Sequence, residues 1–237
     1  MKTITAQKNF LLEMILIITL AIVVSLTATA GKQERQVKNF HEIEVSGAFN
    51  ITLTQGNVEK LVIEADADIL PKIITEVRGG ALIIKFKNNT TINNSGKMNI
   101  ELTFINLDGI DLSGAVKLTG AHPLKLTHLE IEGSGASKIN LNFTASKLNC
   151  DLSGASDITL SGNVPDFYAE LSGACNLNAE ELKTRFCSLE SSGASKAKVN
   201  VSEKLSVEGS GATHVSYTGN PASIDSDMSG ASKLQKI

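Results

Sequence analysis

The sequence predicts an all-β chain: one right-handed parallel β-helix, a solenoid of coils about 19 residues long. Three observations predict it. The tripeptide Ser-Gly-Ala occurs eight times, beginning at Ser46, Ser113, Ser134, Ser153, Ser172, Ser192, Ser210 and Ser229. From Ser113 onward the successive spacings are 21, 19, 19, 20, 18 and 19 residues. The residues on both sides of each tripeptide alternate between apolar and polar. A fixed period marks an array, and a unit this short cannot bury its own apolar face. Stacked units can, by placing like residues above one another.

The elements follow in order. Residues 1–30 differ from the rest of the chain. Lys2 and Lys8 precede an apolar run interrupted only by Glu13, which ends at Ala28-Thr29-Ala30. A basic start, an apolar stretch and a small-residue end describe a secretory signal peptide cleaved after Ala30. The alternative is an uncleaved membrane anchor, because the run approaches the length that spans a bilayer. No cysteine near its end offers a lipid attachment site. Removing two lysines and one glutamate takes the net charge from −3 to −4. The rest of the chain is expected outside the cytoplasm.

The solenoid domain is expected over residues 37–237, with regular coils from about residue 105. Ile43 and Val45 precede Ser46, and Ile51 and Leu53 follow it, so this stretch reads as a first coil. A strand is expected at Leu61–Ala65, a short turn or helical piece around Asp68–Ile73, and two strands flanking Gly79-Gly80. A polar loop at Asn88–Lys97 and a strand at Met98–Phe104 complete the region. It reads as less regular coils of the same solenoid, with a small N-terminal subdomain as the alternative.

In the regular part, positions are counted from each serine as zero. Position −1 holds Leu112, Leu152 and Leu171, and position −3 holds Ile110, Ile131, Cys150 and Leu189. Position +5 holds Leu118, Ile139, Ile158, Leu177 and Val215. Even positions are polar. Period-two alternation on both sides of the tripeptide means a strand, a corner and a second strand. Glycine permits positive φ at the corner, and the alanine is expected to pack inside the bend. Hairpins of a barrel or sandwich would not need the same tripeptide in the same phase each time.

The stretch Phe40, Ile43, Val45, Gly47, Phe49-Asn50-Ile51, Leu53 and Gln55-Gly56 precedes Leu61-Val62-Ile63-Glu64-Ala65-Asp66 and the recurrent Ser-Gly-Ala-Ser. In this order the motifs resemble the putative auto-transporter adhesin family, head GIN domain, from about Val37 to the C-terminus. The resemblance implies an exported β-helical protein of bacterial envelopes with an adhesive role. It brings no catalytic or ligand residues. No C-terminal translocator barrel is visible, so self-export as a complete auto-transporter is not expected.

Several chemistries are tested by residue type. A nucleophilic serine needs a base within hydrogen-bond reach. Of His41, His122, His128 and His214, only His214 lies near a Ser-Gly-Ala unit. Eight equivalent serines read as corners, with hydroxyls satisfying turn amides. Polysaccharide hydrolysis needs two carboxylates at a controlled distance in a cleft, and no pair stands out. The chain is therefore not expected to be an enzyme. With three arginines and no basic stripe, no nucleic-acid binding is expected.

Position −2 is acidic in every regular unit: Asp111, Glu132, Asp151, Glu170, Glu190, Glu208 and Asp227. Glu44 takes the same place in the first coil. Stacking would align these carboxylates in one exposed column at steps of about 4.8 Å. Like charges on neighbouring strands repel. Solvent screening relieves this, as does compensation across the corner from position +4, where Lys117, Lys138, Lys196 and Lys233 stand. The functional reading is a cation ladder, with Ca²⁺ as the ion that carboxylates favour. Cofactors are otherwise not expected.

Cys150, Cys175 and Cys187 are expected as buried free thiols, because Cys150 and Cys187 lie two coils apart. Partners are an unidentified surface glycan or protein ligand, and a membrane only through an uncleaved N-terminal segment. The last coil near Ile237 offers an open pairing edge. The leading function is a non-enzymatic adhesive or structural module. A membrane-anchored periplasmic scaffold and a polysaccharide-active enzyme are the alternatives.

Overall fold

The structure, a computed structural model, describes residues 31–88, 90 and 98–237. The predicted signal peptide and most of the predicted polar loop lie outside the described residues. The fold begins at β1 (Lys32–Arg35), followed by β2 (Glu42–Gly47), β3 (Asn50–Gln55), β4 (Lys60–Glu64), β5 (Ile73–Arg78), β6 (Ala81–Phe86) and β7 (Asn99–Phe104). The regular part runs through β8 (Gly109–Gly114), β9 (Lys117–Gly120), β10 (Leu124–Lys125), β11 (His128–Gly135), β12 (Lys138–Thr144), β13 (Lys147–Gly154) and β14 (Asp157–Asn163). It continues with β15 (Asp166–Gly173), β16 (Asn176–Ser191), β17 (Lys196–Gly209), β18 (His214–Thr218), β19 (Ser223–Met228) and β20 (Lys233–Lys236).

Each coil places one strand before the Ser-Gly-Ala corner and one after it. Strands before the corner stack in parallel as a first sheet: β2, β8, β11, β13, β15, the second halves of β16 and β17, then β19. Strands after it stack as a second sheet: β3, β9, β12, β14, the first halves of β16 and β17, then β18 and β20. The core runs between the sheets. Leu112, Leu118, Ile131, Leu152, Ile158, Leu160 and Leu177 are all buried, in the alternation the sequence shows.

The corners explain the glycine. Gly154 has φ +83°, a region costly for side-chain-bearing residues. A Cβ there would also lie 2.5 Å from the carbonyl oxygen of Gly135, the corner glycine one coil below. Stacking is close because the next amide bonds to that same oxygen, Ala155 N–H to Gly135 O at 2.8 Å. Two corner expectations need correction. The alanine does not pack inside the bend: Ala115, Ala136, Ala155 and Ala174 are exposed. The left-handed glycine turns the chain, and the inward phase resumes one residue later, at position +3. There Val116, Ser137, Ser156, Cys175, Ser195 and Thr213 are buried. The corner serines do not satisfy turn amides either. Ser113, Ser153 and Ser229 donate to strand carbonyls of the coil below, those of Val45, Gly133 and Gly209, at 3.3–3.5 Å.

The N-terminal region departs from simple coil order. β2 lies between β6 and β8 and is parallel to both. β3 likewise lies between β7 and β9. The coil read as first is therefore second in the stack, and the later β6–β7 coil lies below it, on the side away from β8 and β9. β1, β4 and β5 add antiparallel strands beyond. Together with a 3-10 turn at Leu70–Lys72 they cap this end, with Ile69 and Ile73 buried beneath. A further strand, β1, also lies ahead of Val37 and joins the same sheet. The sequence Lys-Gln-Glu-Arg shows no apolar alternation, and β1 is held by its pairing with β4.

Two side chains fasten this crossover. Arg35 is half-buried and donates to the carbonyls of Ile73 and Leu70, each at 2.7 Å, and to Thr75 Oγ1 at 3.1 Å. It thereby ties an end strand of the second sheet to the end of the first. Burial pushes its pKa down. Gln55 replaces a strand pairing with its side chain: Lys125 N–H donates to its Oε1 and its Nε2 donates to Lys125 O, both at 2.8 Å.

Candidate functional site

The outward face of the first sheet carries the acidic positions. The register aligns Glu44 with Asp111, Asp111 with Glu132, and Glu132 with Asp151. It continues from Asp151 to Glu170, Glu190, Glu208 and Asp227. All eight carboxylates are exposed in one unbroken column. At the capped end the column stops at Ile83, the neighbour of Glu44 on β6.

The expected compensation across the corner is not observed. The +4 lysines belong to the second sheet, whose outward side faces away from the column. Lys138 instead pairs with Asp157 of its own column, at 3.0 Å. Among the described residues no cation lies within ion-pair distance of the eight carboxylates, so water and salt carry the screening. The strain is visible in Glu132. Desolvation raises its pKa first, and the charges of Asp111, Glu130 and Asp151 raise it further. Desolvation alone raises Asp111.

A flanking column at position −4 escaped the sequence reading. It contributes Glu42 and Glu130 near one end and Asp225 near the other, with Tyr168 between them. The same period-two count from each serine would have revealed it. Tyr168 donates its hydroxyl to Glu190 at 3.1 Å. Its own ionisation is pushed up, by desolvation first and then by Glu190, Glu170 and Asp151. Near the capped end, His41 and His128 approach Asp108 at 3.7 and 4.0 Å. The hollows on this face are open to solvent. One is bordered by Glu42, Glu44, Asp111, Glu130 and His128, another by Lys147, Asn149, Tyr168 and Glu170.

The face holds its carboxylates one per strand instead of converging them. Among the described residues no three carboxylate, imidazole or thiol groups are placed to hold a metal ion together. His214 sits at the start of β18 in the second sheet, and the hydroxyls of Ser153 and Ser229 engage carbonyls. The three cysteines are free and buried. Cys150 is separated from the strand of Cys187 by β15, and burial pushes the Cys187 thiol up to about 12. Such thiols behave as small apolar residues.

Comparison with known proteins fits this geometry. A putative adhesin from Bacteroides fragilis NCTC 9343 superposes with a TM-score of 0.82 at 24% identity, covering 87% of this chain and 96% of that one. A putative adhesin from Parabacteroides merdae ATCC 43184 gives 0.69 at 15% identity, with 89% and 97% covered. A putative lipid binding protein from Parabacteroides distasonis ATCC 8503 gives 0.65 at 20% identity, with 89% and 98% covered. At these identities the likeness concerns the fold. No curated protein matches the chain. The family model described as putative auto-transporter adhesin, head GIN domain, matches residues 39–221. The opening motif and every Ser-Gly-Ala corner except the last, at Ser229, lie within that match, and the chain belongs to this family.

Proposed function

We propose that the chain is an exported, non-enzymatic binding module of the bacterial envelope, and that its contact surface is the outward face of the first sheet. The observation that carries this reading is the unbroken register of eight carboxylates along an open face. A column of this kind offers many equivalent hydrogen-bond acceptors and a one-signed field. It suits an extended ligand rich in hydroxyl or cationic groups, a surface glycan or a protein, better than a small substrate held at one point. The adhesin description of the family supports the same reading.

A binding screen of the chain from Gly31 onward against glycans and matrix proteins tests it. A retained ligand should lose affinity when Glu170 and Glu190 are both changed to glutamine. Binding indifferent to those changes, or no ligand at all, overturns the proposal. Protease treatment of intact cells tests the location. Digestion supports surface display, and protection supports a periplasmic scaffold.

A further inference from the structure

A hollow of about 630 Å³ lies on the outward face of the second sheet, away from the acidic column. It crosses four successive strands: Thr159 stands on β14, Asn178, Glu180 and Glu181 on β16, Asn200 on β17 and Thr218 on β18. A bulge in β16 shapes it. The coil from Ser172 to Ser192 has 20 residues, against 19 in each of the two coils before it. Two steps along β14, from Thr159 to Ser161, match three along β16, from Asn178 to Glu181. One step along β17, from Val199 to Asn200, matches four along β16, from Ala179 to Lys183. Simple alternation would turn Glu181 into the core. Instead Ala179 and Leu182 are buried, and both glutamates between them turn outward. Bulges re-aim side chains in this way.

The bulged backbone also pins two amides. Glu180 N–H donates to Asn178 Oδ1 at 3.4 Å, and Asn200 Nδ2 donates to the Glu180 carbonyl at 3.2 Å. Each amide has one end fixed and offers the other: Asn178 its NH₂ donor, Asn200 its Oδ1 acceptor. Gly219 keeps the space beside that acceptor free, because a Cβ there would stand 3.3 Å from Asn200 Oδ1. Lys198 holds Glu180 at 3.5 Å, while Glu181 stays exposed with no ion pair among the described residues. Fixed donors and acceptors side by side suit vicinal hydroxyls, each of which both donates and accepts. Charge narrows the ligand. Glu180 and Glu181 are balanced by Lys198 and by Lys183, the register neighbour of Asn200. A locally neutral site favours a neutral ligand, in contrast to the acidic face. We propose that this hollow binds one unit of a neutral saccharide, with Glu181 and Asn200 accepting from its hydroxyls and Asn178 donating to them. The site is separate from the acidic column and stands whether or not that column binds.

Amide NMR shifts of the chain from Gly31 onward, which contains every described strand, test the proposal. The probes are the methyl glycosides of glucose, galactose, mannose and N-acetylglucosamine. At least one should give saturable shifts at Thr159, Asn178, Asn200 and Thr218, and none at Glu170 or Glu190. Glu181→Ala should weaken that binding about tenfold, as loss of a hydrogen bond to a charged group implies. Deleting Glu180 returns the coil to 19 residues and should abolish binding while circular dichroism shows the fold retained. Glu181→Ala disturbs no described contact and decides the matter alone if the deletion unfolds the chain. Glu170→Gln with Glu190→Gln should bind these sugars as the parent does, which separates this site from the acidic face. No saturable shift with any of the four, shifts centred on the acidic face, or binding unchanged by Glu181→Ala overturns it.

Discussion

The buried corner column at position +3 makes opposite predictions for two chemically similar changes. Ser195 is fully buried, and its hydroxyl lies 3.2 Å from the carbonyl oxygens of both Gly173 and Ser192. It also accepts the amide of Cys175 at 3.3 Å, the only partner that amide has among the described hydrogen bonds. Ser195→Ala therefore removes a donated bond and leaves a buried donor orphaned. The first loss costs about 1 kcal/mol and the second about 1–3 kcal/mol, so destabilisation of about 2–4 kcal/mol is expected. Thr213 is the next member of the same column, one coil on, buried at 1%, with no hydrogen-bond partner for its Oγ1. Thr213→Val keeps the shape and removes the unpaired hydroxyl, so a gain of about 1 kcal/mol is expected. Urea titrations followed by circular dichroism measure both, with the slope checked for a single cooperative transition. If both variants lower the midpoint to a similar extent, the column acts by packing alone and the hydrogen-bond argument is refuted.

Three further predictions concern the corner, the acidic face and the cap. Gly154→Ala should cost about 2 kcal/mol or more in denaturant, from a left-handed backbone and a Cβ driven against Gly135 O, while the exposed neighbour Ala155→Ser should cost almost nothing. Glu132 titrates above its ordinary value in the fold, so its contribution is favourable below the unfolded range and is lost as pH rises through the folded one. Glu132→Gln should therefore raise the melting midpoint at neutral pH, with the gain fading near pH ~4 and at high salt; an unchanged midpoint at neutral pH and low salt removes the repulsion argument. Arg35→Lys keeps the charge but loses the forked contacts, and should weaken the cap by about 1.5–3 kcal/mol. Hydrogen exchange should then quicken in β1 and β4 while the regular coils keep their protection. Uniform quickening would show that the cap and coils open together.

The sequence alone determined the repeat and its consequences. Period-two alternation around Ser-Gly-Ala sets which side chains face the core, and a constant period sets what stacks on what. The carboxylate column from Asp111 to Asp227 follows from those two facts, because the corners stack on one another although the coils vary from 18 to 21 residues, with register shifts between Thr159 and Ser161 and between Ala179 and Lys183 lying away from the corners. The glycine at the corner was legible for the same reason. What the sequence left open is whatever depends on contacts between distant segments. No local pattern shows that β2 is inserted between β6 and β8, since strands with similar alternation pair equally well in several orders. The contacts of Arg35 and Gln55 have no local signature because their partners lie at Leu70, Ile73 and Lys125, far away in sequence. Tertiary structure likewise decided that the +4 lysines face away from the acids, because the corner puts them on opposite outer faces. The repeat fixes neighbours within columns; capping, crossover and charge compensation depend on how the columns are closed in space.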